Sequence, residues 1–178
     1  MGKTVPSERL IKNRKHFSES VMVSVAVSKT GKTKVQFINK GTKVDGRYYH
    51  ETLLQNCLLP DIRQLCGGEF VFQQDGAPSP WAKLMVEFLQ QNVPNFIESF
   101  VWPPNSPDIN RVDCAVWGAL QQDVYRVLVV SLEDLKDRVL TCWASLDQQL
   151  INKAIDQWQR RLKTVIKVHR GRIEQLFT

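Results

Sequence analysis

A chain of 178 residues with 43% apolar content and five Trp is long enough to bury one core without help from disulfides or metals. It contains no apolar run of membrane-spanning length and no basic start leading into an apolar segment, so neither a membrane span nor a signal peptide is expected, and the chain reads as soluble and intracellular. The net charge of +6 is concentrated at the ends: residues 1–43 carry ten Lys or Arg against two acids, and residues 153–172 carry seven against one. Two basic ends around a mildly acidic middle suit a polyanion such as DNA through phosphate contacts, or equally a solvated charged surface.

In chain order, residues 1–19 are basic and aperiodic and are expected to form an extended arm. "SVMVSVAVS" (20–28) and "TKVQFIN" (33–39) are β-branched runs joined by "KTGK", a hairpin with Gly31 in its turn. Apolar residues at Leu53, Leu54, Cys57, Leu58, Ile62 and Leu65 recur at helical spacing, and Gly67-Gly68 ends that helix. Asp45, in "VDG", reads as turn chemistry. "EFVFQQ" (69–74) predicts a third strand, "WAKLMVEFLQQN" (81–92) a helix stopped before Pro94, and "FIESFVW" (96–102) a short fourth strand.

"PPNSPDIN" predicts a loop that opens a helix near Asn110. Val112, Val116, Ala119 and Leu120 mark that helix's apolar face. Ser131 and Asp134 stand in a capping-box-like arrangement at the next helix, and in the last one Leu150, Ala154, Trp158, Leu162 and Ile166 repeat every fourth residue. The order is that of an α/β fold with a mixed sheet flanked by helices. The division expected is residues 1–19 as the arm, 20–128 as the catalytic-type domain and 129–178 as a helical extension of it.

Cys57, Cys66, Cys114 and Cys142 have no C-x-x-C pairing and no His at finger-like spacing, so reduced, mostly buried thiols are expected. Trp81, Trp117, Trp143 and Trp158 fall at helical positions and are read as core or interface anchors rather than base-stacking platforms. His16, His50 and His169 are isolated and receive no role.

The acids that could carry chemistry are Asp75, at the end of a strand in "FVFQQDGAPSPW", and Asp113, in the first turn of the helix after "WPPNSPDINRVD". Sites in open α/β sheets form at strand carboxyl ends, which favours Asp75. For Asp113 the competing reading is strong, because an acid in a first turn is favoured by the helix dipole whatever the function. Two converging carboxylates would suit Mg²⁺ or Mn²⁺, and metal-assisted phosphoryl transfer ordinarily takes at least three acids.

Taken together, "FVFQQDGAP...WPPNSPDINRVDCAVWG" and the preceding "VMVSVAVSKTGKTKVQFI" resemble the catalytic domain of the Tc1/mariner superfamily of DNA transposases. The 37 residues between Asp75 and Asp113 are similar to the mariner-like branch, in which the last two acids have that separation and the third is Asp. The resemblance implies a ribonuclease H-like fold, with Asp75 and Asp113 as the second and third of three catalytic carboxylates and with Mg²⁺ or Mn²⁺ as metal. Asp108 remains the fallback ligand. DNA is the implied partner, contacted by Arg14, Lys15, Arg111, Arg160, Arg161 and Lys163. A homodimer or a full-length transposase is the implied protein partner, the implied location is the nucleus, and neither a membrane nor a small-molecule substrate is expected.

Departures from the family pattern run in one direction. The first acid, carried in the family on a central strand upstream of "VPSERL", has no counterpart here, and residues 3–19 are too charged to replace that strand. The His that follows "DGAP" at a distance of two is Pro80, and the Pro after "SPDLN" is Arg111. The helix-turn-helix module that precedes the catalytic domain in the family is also missing. The expectation is therefore a partial transposase catalytic domain that binds nucleic acid and lacks cut-and-paste activity. The alternative is a non-catalytic DNA-binding or protein-interaction module derived from one.

Overall fold

The computed structural model describes residues 19–74, 82–97 and 111–167, with the backbone alone at 82–84, 111, 113, 159, 162 and 165–167. The hairpin is interrupted rather than continuous. β1 (Met22–Ser24) pairs antiparallel with β4 (Gln36–Ile38), and β2 (Val27–Ser28) pairs antiparallel with β3 (Gly31–Lys32). Ser24 faces Gln36 and Val27 faces Lys32, so Val25 and Ala26 oppose Thr33, Lys34 and Val35, a bulge of one extra residue.

Three amides of the bulge find partners outside a regular ladder. Thr33 Oγ1 accepts from the Ala26 N–H at 2.8 Å, Thr33 N–H donates to the Ala26 carbonyl at 2.9 Å, and Lys34 N–H donates to Asp61 Oδ2 at 3.1 Å. At the tip, a Cβ on Gly31 would lie 3.0 Å from Leu65 Cδ2, so glycine lets the turn sit against the neighbouring helix.

The first helical segment runs as α1 (Gly46–Tyr48), a π-helical stretch (Tyr49–Leu58) and α2 (Leu59–Cys66). Asp45 caps it, its side chain accepting from Tyr48 N–H at 2.9 Å. The buried pairs Leu53/Leu58 and Leu54/Leu59 stand five apart, the offset of the wide helix's i→i+5 hydrogen bonds rather than the three-or-four spacing expected from the sequence. Pro60, second in α2, supplies a reason. It cannot donate within a continuous helix, and a restart at Leu59 puts it in a first turn, where its missing N–H is not needed. Gly67, at φ 68°, ends the segment.

β5 (Val71–Phe72), α3 (Ala82–Asn92) and β6 (Asn95–Phe96) form a parallel strand–helix–strand unit, with Val71 opposite Asn95 and Phe72 opposite Phe96. β5 is shorter than expected, with residues 69–70 and 73–74 outside the ladder; of the expected fourth strand Phe96 lies in the ladder, and residues 98–102 lie outside the described ones. The expected mixed sheet is present as antiparallel and parallel pairs, but among the described residues these are three separate two-stranded ladders.

α4 (Arg111–Val124), α5 (Leu132–Ser145) and α6 (Gln148–Lys167) complete the chain. The strands divide two cores. Val21, Val23, Val25, Val27, Val35 and Phe37 pack on the cluster of α4, α5 and α6, centred on Val116, Leu120, Trp143 and Ile151. Ala26, on the opposite face, packs with Phe70 and Phe96 on the cluster of Leu54, Leu59, Phe72 and Leu89. The alternation of valines in "VMVSVAV" therefore specifies which face of the strands meets which helical layer.

Long-range bonds fasten the hairpin tip to the C-terminal helices. Trp143 Nε1 donates to the Thr33 carbonyl at 2.8 Å, and Lys32 Nζ donates to the Ala144 and Leu146 carbonyls at 3.0 and 2.7 Å. Gln148 donates to the Ser28 carbonyl at 2.8 Å, and Lys29 pairs with Asp156. Part of the N-terminal positive charge is thus committed to the fold; burial pushes the Lys32 ammonium below its ordinary range.

The connector between α4 and α5 exposes Val127, Leu128 and Val130, and Arg138 holds it: Nη1 donates to the Val127 carbonyl at 2.7 Å and Nη2 to the Leu128 carbonyl at 2.9 Å. Asp134 accepts from Arg138 Nε at 2.7 Å and from Val130 N–H at 3.0 Å. Ser131 accepts from Asp134 N–H, so the cap is as expected, but the acid's side chain reaches back to Val130 rather than to the cap residue itself. The Arg138 bond, ahead of the Val130 amide, holds the Asp134 carboxyl below its ordinary value. A depressed carboxyl stabilises the fold above the unfolded value of about 4, and that contribution is lost as pH falls through the folded one. Melting temperature should therefore fall on acidification, and Asp134→Asn should flatten that fall in a pH series of thermal scans.

Candidate active site

β5 runs out through Gln73 and Gln74, and Tyr49 Oη donates to Gln74 Oε1 at 3.0 Å, pinning the strand's exit to the π-helical stretch. The next residue in sequence, Asp75, lies outside the described residues, as do Asp108, Arg14 and Lys15. Asp113 is the third residue of α4, which starts at Arg111, and its backbone stands in the first turn as expected. Its position places it in the positive field of the helix N-terminus.

The two segments that carry the acids line one cavity. A groove of about 510 Å³ is lined by Gln73 and Gln74 from the β5 exit and by Val112 and Val116 from α4, together with the β1–β2 edge. Gln74 and Val112, the residues immediately before Asp75 and Asp113, thus share one cavity. Among the described residues no group of three or more His, Cys, Asp or Glu is placed to hold a metal ion. As donors, two carboxylates fit a hard divalent cation that keeps most of its waters, and do not by themselves make a two-metal site.

On α6, Arg160 and Lys163 are exposed, as a phosphate-contacting surface requires. Arg161 is not: it is 2% exposed, contrary to the expectation that it faces DNA. It follows Ala154 by seven residues, so it falls on the stripe of Ile151 and Ala154, both buried. That periodicity was available in the sequence, and the run "QRRLK" obscured it by charge alone. All four cysteines are free thiols, Cys114 exposed and the others partly buried. Trp143 is buried, Trp117 packs against the C-terminal cluster and Trp158 lines the groove, whereas Trp81 lies outside the described residues. His50 packs edge-on to Phe88, with ring centroids 4.2 Å apart.

The architecture is shared with a ribonuclease H-like catalytic domain. The catalytic domain of Mos1 mariner transposase superposes with a TM-score of 0.70 at 18% identity, over 86% of this chain and 76% of that one. A structure of that domain with Raltegravir and Mn superposes with a TM-score of 0.72 at 18% identity, covering 86% and 78%.

By sequence, the chain is 28% identical over 152 residues to the Tcb2 transposase of Caenorhabditis briggsae and 25% identical over 152 residues to the Tc1 transposase of Caenorhabditis elegans. Each match takes in 85% of this chain and 53% of the relative, so the chain spans about half the length of the curated relatives it matches. No protein-family model matches. The sequence relatives and the structural neighbours are all transposases, and the fold shared with the neighbours is that of a transposase catalytic domain. Among the described residues no helix is long and apolar enough to cross a membrane.

Proposed function

We infer that the chain is a transposase-derived catalytic domain that associates with DNA in the nucleus, holds a divalent cation weakly through Asp75 and Asp113, and does not carry out strand transfer on its own. The observation that carries this reading is the shared groove: the residues preceding the two acids line one cavity, at the exit of a parallel strand pair. Strand ends of this kind are where α/β folds build sites.

Mg²⁺ or Mn²⁺ held there would supply charge stabilisation at a phosphate oxygen. Metal-assisted phosphoryl transfer ordinarily takes at least three acids, and two carboxylates at Asp75 and Asp113 fall short of that, which is why strand transfer by these residues alone is not expected. Arg160 and Lys163, with Arg14, Lys15 and Arg111, would contact phosphates without reading sequence.

Titration with Mn²⁺ followed by electron paramagnetic resonance should show weak binding that Asp75→Ala or Asp113→Ala each reduces about tenfold or more, since affinity follows the count of charged ligands. Nicking of supercoiled DNA should stay at background. Robust Mn²⁺-dependent nicking that Asp75→Ala abolishes would overturn the inactivity. Salt-dependent DNA binding that neither substitution alters, with no metal binding at all, would favour a binding module instead.

A further inference from the structure

The bond between Tyr49 and Gln74 stands where it can act on the candidate metal site. β5 keeps its pairing with β6 as far as Phe72, whose carbonyl accepts from the Ile97 N–H at 2.9 Å. Gln73 and Gln74 lie beyond that last ladder pair, where pairing with β6 no longer sets the course of the backbone. Gln73 is exposed, whereas Gln74 is half-buried and its Oε1 accepts from Tyr49 Oη at 3.0 Å. Because each peptide unit is planar and leaves only two soft dihedrals, a residue held by its side chain restricts the direction in which the chain continues. The residue that follows Gln74 is Asp75.

Tyr49 is itself held, as an anchor must be. Its N–H donates to the Asp45 carbonyl at 2.9 Å, in the turn that the Asp45 side chain caps through the Tyr48 N–H. It packs against the second core, the cluster of Leu54, Leu58 and Phe72. That packing needs the ring alone, and a phenylalanine would supply it. The hydroxyl is the part that reaches the strand exit. Tyr49 and Gln74 both line the groove, as does Val112, the residue before Asp113.

We propose that Tyr49 is a positioning residue for the metal site: its hydroxyl fixes Gln74, and through it the approach of Asp75 to a divalent cation shared with Asp113. The proposal rests on the reading of those two acids as ligands. Groups that orient ligands from behind set metal affinity without touching the ion. A carboxylate that must be ordered when the cation arrives gives up part of the binding energy to that ordering, and a two-carboxylate site has little to spare. The Tyr49 bond meets that cost before the cation binds.

The test is Mn²⁺ affinity, read by electron paramagnetic resonance on the 178-residue chain well below its melting temperature, so that folded protein is titrated. Tyr49→Phe should weaken Mn²⁺ binding about threefold to tenfold, the fold-change that corresponds to one net hydrogen bond. Gln74→Leu should weaken it by a similar factor. The double variant should be no worse than either alone, since each substitution removes the same bond. Val139→Ala, buried in the other core, should lower the melting temperature and leave Mn²⁺ affinity at the wild-type value, which separates lost stability from lost positioning.

Additive losses in the double variant, an equal loss in Val139→Ala, or wild-type affinity in Tyr49→Phe while Asp75→Ala still weakens binding would each overturn the positioning role and leave the metal reading standing. No Mn²⁺ binding, or binding that Asp75→Ala does not weaken, would overturn the metal reading and this proposal with it.

Discussion

Trp143→Ala should lower the free energy of unfolding by about 3–5 kcal/mol in urea titrations, the range for removing a large buried aromatic. Trp143 is 4% exposed and belongs to the C-terminal core, so its loss leaves a cavity between α5 and the hairpin. Its Nε1 also donates to the Thr33 carbonyl, and Thr33, 3% exposed, is the residue around which the bulge is built. Substitution removes the donor that satisfies that carbonyl. The Lys32 ammonium, 5.8 Å from the indole centroid, loses its aromatic neighbour as well. Trp143→Phe separates the contributions: it fills most of the volume and lacks the donor, so it should cost about 1–3 kcal/mol, the penalty of a buried unsatisfied group. Equal costs for the two variants would show that the hydrogen bond, not the packing, dominates.

The second large effect is expected on the other side of the strands. Leu54, with 0% exposure, sits in the π-helical stretch at the centre of the second core, among Leu58, Leu59, Phe72 and Leu89. Leu54→Ala should cost about 2–5 kcal/mol by the same measurement, because the site is enclosed and collapses little. A cost of about 1 kcal/mol or less would mean that the wide helix rewinds to fill the space. Either loss is a large share of the 5–15 kcal/mol typical of a folded domain.

How far the fold could be read beforehand differs from element to element. The valines at alternate positions from 21 to 27 identify the hairpin and even its two-sided packing, because strand periodicity maps directly onto faces. Ser131 and Gly67 mark helix ends, since cap and stop positions have strong residue preferences. The bulge at Thr33 has no such mark. It is fixed by a side-chain hydroxyl and by Asp61, 27 residues away from the amide it satisfies. Likewise the π-helical stretch shares its residue types with an ordinary helix, and only Pro60 hints that the winding changes.

The candidate site was legible as motif and spacing, because turn and loop residues around Asp75 and Asp113 are distinctive in type. The groove lined by Gln74 and Val112 was not, because it depends on how strands and helices pack together, and that is a property of the assembled layers. Arg161 shows the opposite limit: a count of charges along α6 says that the helix is basic, while its rotation decides which guanidinium reaches solvent.

The fastening of the hairpin tip bears on the order in which the protein can form. Trp143 to Thr33, Lys32 to Leu146 and Gln148 to Ser28 join positions 110, 114 and 120 residues apart. During synthesis the hairpin emerges early, yet its helical partners follow on the order of 10 s later at ordinary ribosomal rates. Until then its valine face has no cover from the C-terminal helices, and closing so long a loop slows the search for them. The nascent chain therefore passes through an interval in which a holding chaperone or a neighbouring nascent strand competes for the same surface that α5 and α6 later enclose.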